Sequence, residues 1–138
     1  MRIQISFKSG KPVYLQVVDQ VKVAVAAGTL HAGDALPGIR PLAESLRVNR
    51  NTIAKAYAEL ESQGVIETIA GKGCFLRTNA SPYKKEVRKQ MLSTEIDEAV
   101  VQAHHLQVNK AEFLRLAEER FDVFQEKRVR TTDKQGVL

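Results

Sequence analysis

The stretch from residue 39 to 76 leaves few folds open. Leu42, Ala43 and Leu46 form a short helical stripe, and Ile53, Tyr57 and Leu60 repeat it after only Arg47, Val48 and Asn49. Three residues between two helices force a tight corner, and Asn49 stands where a helix wants its N-cap. Gly64 ends the second stripe; VIETI and CFLRT then flank AGKG, two β runs around a glycine-bearing tip. Upstream, Tyr14, Val17, Val18, Val21 and Val25 recur at three- and four-residue spacing, between Pro12 as a first-turn residue and Gly28 as a stop. Helix, helix, tight turn, helix and hairpin describe a winged helix-turn-helix. Before it, Ile3, Ile5 and Phe7 alternate, which predicts a short strand over residues 3–7.

The second half has a different character. TNASP, residues 78–82, reads as a linker. Beyond it Tyr83, Val87 and Met91 make one helical stripe, and Ile96, Val100, Ala103 and Leu106 a second. Asn109 is placed to cap a third helix with Glu112 at N3, and Val108 and Phe113 hold the positions of a hydrophobic staple. Phe113, Leu114, Leu116, Ala117, Phe121 and Phe124 then make an apolar face too wide for a lone surface helix. The expected organisation is a winged helix-turn-helix over 1–77, a linker over 78–82, a helical segment over 83–126 and a frayed polar tail over 127–138. The fold class is mainly α with a small β-hairpin.

Charge separates the two halves as well. Residues 1–78 carry ten Lys or Arg against six Asp or Glu, whereas residues 79–138 carry eleven against ten. The basic module is the one that would face a polyanion, although basic balance alone is weak support. No run approaches the roughly 18 apolar residues of a membrane span. The N-terminal MRIQISFKSGK lacks the apolar segment and cleavage site of a secretory signal. The single cysteine, Cys74, has no internal disulfide partner, which fits a reducing cytoplasm.

Catalysis finds no support in the residue pattern, and neither a metal nor a cofactor is implied. His104 and His105 are adjacent, so on a helix they point about 100° apart, a poor chelate. Cys74 has no sequence-local base and reads as a small buried hydrophobe. Gly71-Lys72 is not a phosphate-binding P-loop, since no glycine stands five residues earlier and no Ser or Thr follows.

Binding is better served. With Ile53, Tyr57 and Leu60 turned inward, Arg50, Asn51 and Lys55 project outward near the start of their helix, and Asn51 and Lys55 share a face. The second helix of a helix-turn-helix reaches base edges with its N-terminal residues. Arg pairs with guanine and Asn with adenine, while Lys and Thr often take phosphates. VNRNTIAKAY taken alone fits a solvated face on a structural helix equally well. Gly71-Lys72-Gly73 combines close backbone approach with a cation, as a minor-groove wing tip requires; alone it reads as a plain hairpin turn.

In combination the motifs resemble a known family. Pro-x-Tyr-x-Gln, Gly-Asp-x-Leu-Pro, Leu-Ala-x-x-Leu, Val-Asn-Arg-Asn-Thr, Ala-Tyr-x-x-Leu-Glu-x-x-Gly and Gly-Lys-Gly-x-Phe follow one another in unbroken order over residues 12–76. That order is similar to the DNA-binding domain of GntR-type bacterial transcription regulators. The remainder resembles the short helical tail of the YtrA-type branch, about 60 residues being too few for the large effector domains of other branches. The resemblance implies a cytoplasmic homodimeric repressor that binds a roughly palindromic double-stranded DNA operator, with any small-molecule effector unknown. It carries DNA contacts onto Arg40, Arg50, Asn51, Thr52, Lys55, Gly71, Lys72 and Gly73. It places the dimer interface on the C-terminal helices, at Ile96, Val100, Leu106, Phe113, Leu116, Ala117, Phe121 and Phe124. One departure touches the site: Gly38 stands where the family has Ser, and Pro41 follows Arg40. If Gly38 is an N-cap, Pro41 is N3, so a missing acceptor meets a missing donor. A winged helix that docks onto a protein instead of DNA is the rival expectation, separated by a gel shift with the protein's own upstream DNA.

Overall fold

The computed structural model describes residues 2–77 and 85–136, with the side chains of 131–136 left aside. Three helices and a hairpin come first: α1 Val13–Ala26, α2 Ile39–Leu46, α3 Arg50–Ser62, β1 Ile66–Ile69 and β2 Gly73–Leu76. Two longer helices follow, α4 Lys85–His105 and α5 Lys110–Gly136.

The inward residues of α1 are Val17, Val18, Val21 and Ala24, and those of α3 are Ile53, Ala56, Tyr57 and Leu60. Each valine in a helix costs about 0.5 kcal/mol of propensity. Burying its side chain returns about 1.5–3 kcal/mol, so packing decides the conformation. Leu42 and Ala43 of α2 and Ile66 and Leu76 of the hairpin close the core, in which Val17, Val21, Ile53 and Leu60 are wholly shut off from solvent.

Glycine ends two of the helices in the same way. Gly28 and Gly64 take positive φ, 77° and 73°. After Gly28, the Thr29 N–H turns back to the Ala24 carbonyl; after Gly64, the Val65 N–H reaches the Leu60 carbonyl. Both are Schellman closures, which satisfy the terminal carbonyls. At the end of α2 no glycine is present, and Arg47 itself occupies the left-handed region (φ 57°, ψ 45°), which costs roughly 1–2 kcal/mol. Two backbone bonds hold it there, Arg47 N–H to Glu44 and Val48 N–H to Ala43. The corner is tight because Val48 must reach the core edge and Asn49 must begin α3.

Pairing in the hairpin is antiparallel, Ile66 opposite Leu76 and Ile69 opposite Gly73. The loop before α2 adds a further run of pairing: Gly33 N–H donates to Leu76, Leu36 N–H to Cys74, and Leu76 N–H to Asp34. The Gly-Asp-x-Leu-Pro motif therefore edges the wing, a role its sequence does not advertise.

Four expectations change. Residues 3–7 form no strand. The alternation holds for two of its three residues: Ile3 is buried and Ile5 packs against the core, whereas Phe7 is 68% exposed, and the partner is a helix. The Gln16 side-chain amide exchanges both kinds of hydrogen bond with the Ser6 backbone, and Gln20 does the same with Gln4. Two glutamines one helical turn apart thus stand in for a neighbouring strand. Pro12 is the N-cap of α1 rather than a first-turn residue. In the second half, the two expected stripes lie on one continuous 21-residue helix, α4; Leu92-Ser93-Thr94-Glu95 between them contains no Gly or Pro to break it.

The third C-terminal helix starts as expected. Asn109 accepts from the Glu112 N–H at 3.0 Å while its amide donates to the Glu112 carboxylate. It does not stop where the polar tail was expected to begin, but continues as α5 to Gly136. Residues 127–130, Lys-Arg-Val-Arg, contain no breaker, and Arg128 has a partner in Val25 at the end of α1. The expected linker, 78–82, and Tyr83 lie outside the described residues.

Candidate nucleic-acid interface

The site is best built from behind. Ile53 and Tyr57 are buried on the inner side of α3. The Tyr57 hydroxyl crosses to the segment leading into α2 and donates to the Pro37 carbonyl at 2.6 Å. Burial, and secondarily the neighbouring Cys74, push that hydroxyl above the usual tyrosine range, so it remains a donor at any ordinary pH. This bond ties the entry of α2 to the second turn of α3, fixing the two helices of the corner to each other.

The front of α3 is then presented by its cap. The Asn49 side chain accepts from the Asn51 N–H at 2.8 Å. Arg50 and Asn51 are exposed on the first turn and Thr52 is half-buried beside them. Arg40 is exposed on the first turn of α2. Among the described residues, the side chains of Arg40, Arg50 and Lys72 make no hydrogen bond or ion pair within the chain. Guanidinium and ammonium groups held on rigid elements without an internal acceptor are available to an external one.

Lys55 differs. It is exposed, as its spacing predicts, but its ammonium lies 4.1 Å from the centre of the Tyr14 ring. A cation over an aromatic face is held by about 0.5–1 kcal/mol at an exposed site. Tyr14 is the tyrosine of the Pro-x-Tyr-x-Gln motif, and sequence reasoning assigned it only to the apolar stripe. The two residues stand on different helices, far apart in sequence, so no local spacing could have revealed the contact.

At the wing, Gly71 and Gly73 have φ values of 75° and 111°, and Lys72 closes the turn by donating its N–H to Ile69. A Cβ at either glycine would meet no neighbour within 4 Å, so backbone conformation alone demands glycine there. The tip is exposed. The start of α2 is as the spacing implied: Gly38 is its N-cap, without a side-chain bond, and Pro41 is N3. The geometry adds a steric reason, since a Cβ on Gly38 would lie 3.3 Å from Pro41 Cδ. The two departures from the family pattern are physically coupled.

Arg40, Arg50, Asn51, Lys55 and Gly71–Gly73 are thus all exposed, on the first turns of α2 and α3, one turn further along α3, and at the wing tip. The expected pairing residues lie elsewhere. Ile96, Val100, Leu106, Leu116, Ala117 and Phe121 are exposed, while Phe113 and Phe124 are half-buried. Ile96, Val100 and Phe113 line a largely apolar groove of about 540 Å³ at the corner between α4 and α5. His104 is on its wall, and His105 is exposed. Among the described residues no three metal-ligating side chains come together, and no helix is long and apolar enough to cross a membrane.

Comparison with known proteins bears directly on this arrangement. Residues 13–76 match the family described as bacterial regulatory proteins, gntR family. The HTH-type transcriptional repressor YtrA of Bacillus subtilis (strain 168) is 37% identical over 103 residues, covering 75% of this chain and 79% of that protein. A crystal structure described as a transcriptional antiterminator from Listeria monocytogenes EGD-e superposes with a TM-score of 0.76 at 35% identity, over 87% of this chain and 90% of the other. The DNA-binding domain of AraR, solved in complex with an operator, gives a TM-score of 0.50 at 26% identity, over 55% of this chain and 98% of that domain. The Listeria structure covers far more of this chain than the winged half, and the AraR domain matches about the length of the reading module alone. The chain belongs to the GntR family of bacterial regulatory proteins, in its YtrA-type branch.

Proposed function

We propose that this chain is a transcriptional repressor that binds a roughly palindromic operator as a homodimer. The observation that carries the reading is the first turn of α3: anchored from behind by Ile53 and Tyr57, capped by Asn49, and bare in front at Arg50 and Asn51. In the major groove the Arg50 guanidinium is matched to guanine O6 and N7, and the Asn51 amide to adenine N6 and N7. Thr52, and Lys55 steered by Tyr14, are placed for phosphates, which fix register and carry no sequence information. Arg40 adds a contact from α2, and Gly71-Lys72-Gly73 follows the adjacent minor groove.

Pairing falls to the helices beyond residue 84. Their exposed apolar side chains, among them Ile96, Val100, Leu106, Leu116 and Phe121, are the kind of surface that marks an interface. A second copy related by a two-fold axis would cover it and set two reading helices about one duplex turn apart. The division is then a DNA-binding unit through residue 77 and a pairing unit beyond it, working in the cytoplasm.

The test is a gel shift and footprint on the protein's own upstream DNA. Arg50→Ala and Arg40→Ala should each abolish the specific footprint while leaving the dimer folded. A footprint unchanged in both variants would overturn the site assignment. Binding by the wild type should fall steeply with salt, because each phosphate contact releases a counterion.

A further inference from the structure

On the side of the reading module away from α3's first turn lies a cleft whose described lining holds two arginines. It measures about 380 Å³ and is lined by Gly28, Gly64, Leu76, Arg77, Arg128 and His31 among others, with no Asp or Glu among the described residues of its wall; Asp34 stands 3.5 Å from His31 Nδ1. Its two halves come from different parts of the fold. Arg77 follows β2, whereas Arg128 arrives on α5. Gly28 lets α5 come this close, since a Cβ there would lie 3.1 Å from the Arg128 Cα.

Each arginine has one nitrogen with a missing or long hydrogen bond. Arg77 Nε is buried and has no hydrogen-bond partner, a state that is costly in a native protein, while the rest of the half-buried side chain reaches the cleft. Arg128 Nη1 reaches the Val25 carbonyl at 3.5 Å, the long limit of a hydrogen bond. The C-terminal ends of α1 and α3 face this region, and their dipoles favour cations, so capping is the simplest alternative role. Several of the terminal carbonyls already accept backbone donors, however, and none of these is bonded to Arg77 Nε. Ala24 accepts from Thr29 and Leu30, Val25 from Gly28, Leu60 from Val65 and Glu61 from Gly64. Capping therefore leaves the Arg77 Nε–H unexplained.

We propose that this cleft binds a small anion, through a carboxylate or phosphate group clamped between Arg77 and Arg128. The volume suits a small metabolite, and the guanidinium fork suits either oxyanion. Operator phosphates are not its source: the cleft lies at the C-terminal end of α3, about 20 Å along the helix from Asn49. Once bound, the anion joins the reading module to α5 and so couples ligand to the relative placement of the two. The site stands apart from the operator reading, since neither arginine is assigned to DNA.

The test is a titration of the full-length protein followed by amide and arginine side-chain NMR signals. Inorganic phosphate and succinate are the probes, each at constant ionic strength set with sodium chloride. Saturable shifts at Gly28, Gly64 and the Arg77 Nε–H are expected with at least one of them. The tighter probe identifies a phosphoryl or a carboxylate ligand. Arg77→Ala and Arg128→Ala should each weaken binding about tenfold or more, while Lys22→Ala, which removes an equal charge from exposed α1 surface, should not. If Arg77→Ala fails to fold, Arg77→Lys keeps the charge but loses the fork, and should still weaken binding several-fold. No saturable shift with either probe, or binding unchanged in Arg77→Lys and Arg128→Ala, would overturn the proposal.

Discussion

The two halves of this chain treat apolar side chains in opposite ways. Among the described residues, all fifteen buried core positions lie between Ile3 and Leu76. α4 has none, and its Leu92 and Val101 are 59% and 69% exposed; on α5, Phe121 is 76% exposed. Both halves are helical and both have apolar stripes, so periodicity alone does not distinguish them. The difference is what each stripe meets. In the first half three short helices and a hairpin close on one another. In the second, two long helices leave the corner at Leu106–Asn109 with their stripes largely uncovered. A stripe closed within the chain makes a self-sufficient module, and in the proposed reading the open stripe is the one a second chain covers.

The comparison breaks first where the core is densest. Ile53→Ala removes a side chain with no solvent exposure, and should cost about 2–5 kcal/mol. Urea melts should show the reading module lost or severely destabilised. Changes in the open half should act on assembly instead. The double variant Leu116→Asp/Phe121→Asp should leave the fold of the first half intact and raise the dimer dissociation constant by about two orders of magnitude. Sedimentation at several concentrations reads this, and the melting temperature should cease to depend on concentration.

A smaller effect sharpens the account of the corner. Tyr57→Phe removes the bond to Pro37 and should cost about 1 kcal/mol. The sign of its pH dependence follows from the raised folded-state value of the hydroxyl. Wild-type stability is complete below the usual tyrosine range and falls as pH rises above it, because only the unfolded chain then ionises freely. Tyr57→Phe should lose that part of the alkaline decline. The smallest change is at the start of α2. Gly38→Ser alone should shift stability by no more than about 0.5 kcal/mol, since the new cap presses on the Pro41 ring. Gly38→Ser/Pro41→Ala, which clears the ring, should gain about 1 kcal/mol. If Gly38→Ser has the same effect in the wild-type and Pro41→Ala backgrounds, the two positions are independent and the coupling is wrong.

Much of the first half was legible because its signals are local. Gly28, Gly64 and Asn49 punctuate the helices within a residue or two of the observed ends, and AGKG marks the wing tip. What escaped was carried by the backbone or by contacts distant in sequence. Leu36 and Gly33 pair with β2 through main-chain groups, which leave no side-chain pattern. The alternation of Ile3 and Ile5 reported a buried face correctly but could not say that Gln16 and Gln20 would supply the partner. The continuation of α5 past Glu126 was missed because polar composition was read as fraying, although Lys, Arg and Gln are good helix formers. At the site, the positions of Arg50 and Asn51 follow from period and cap. The hold of Tyr14 on Lys55 joins two helices and is visible only in three dimensions.

The most direct measurement is the mass of the protein by analytical ultracentrifugation, alone and bound to a duplex from its own upstream DNA. Two chains in free solution and two chains per duplex are predicted, one reading module for each half-site. A monomer that saturates the duplex at one chain per site would contradict the claim that the open half exists to pair the closed one.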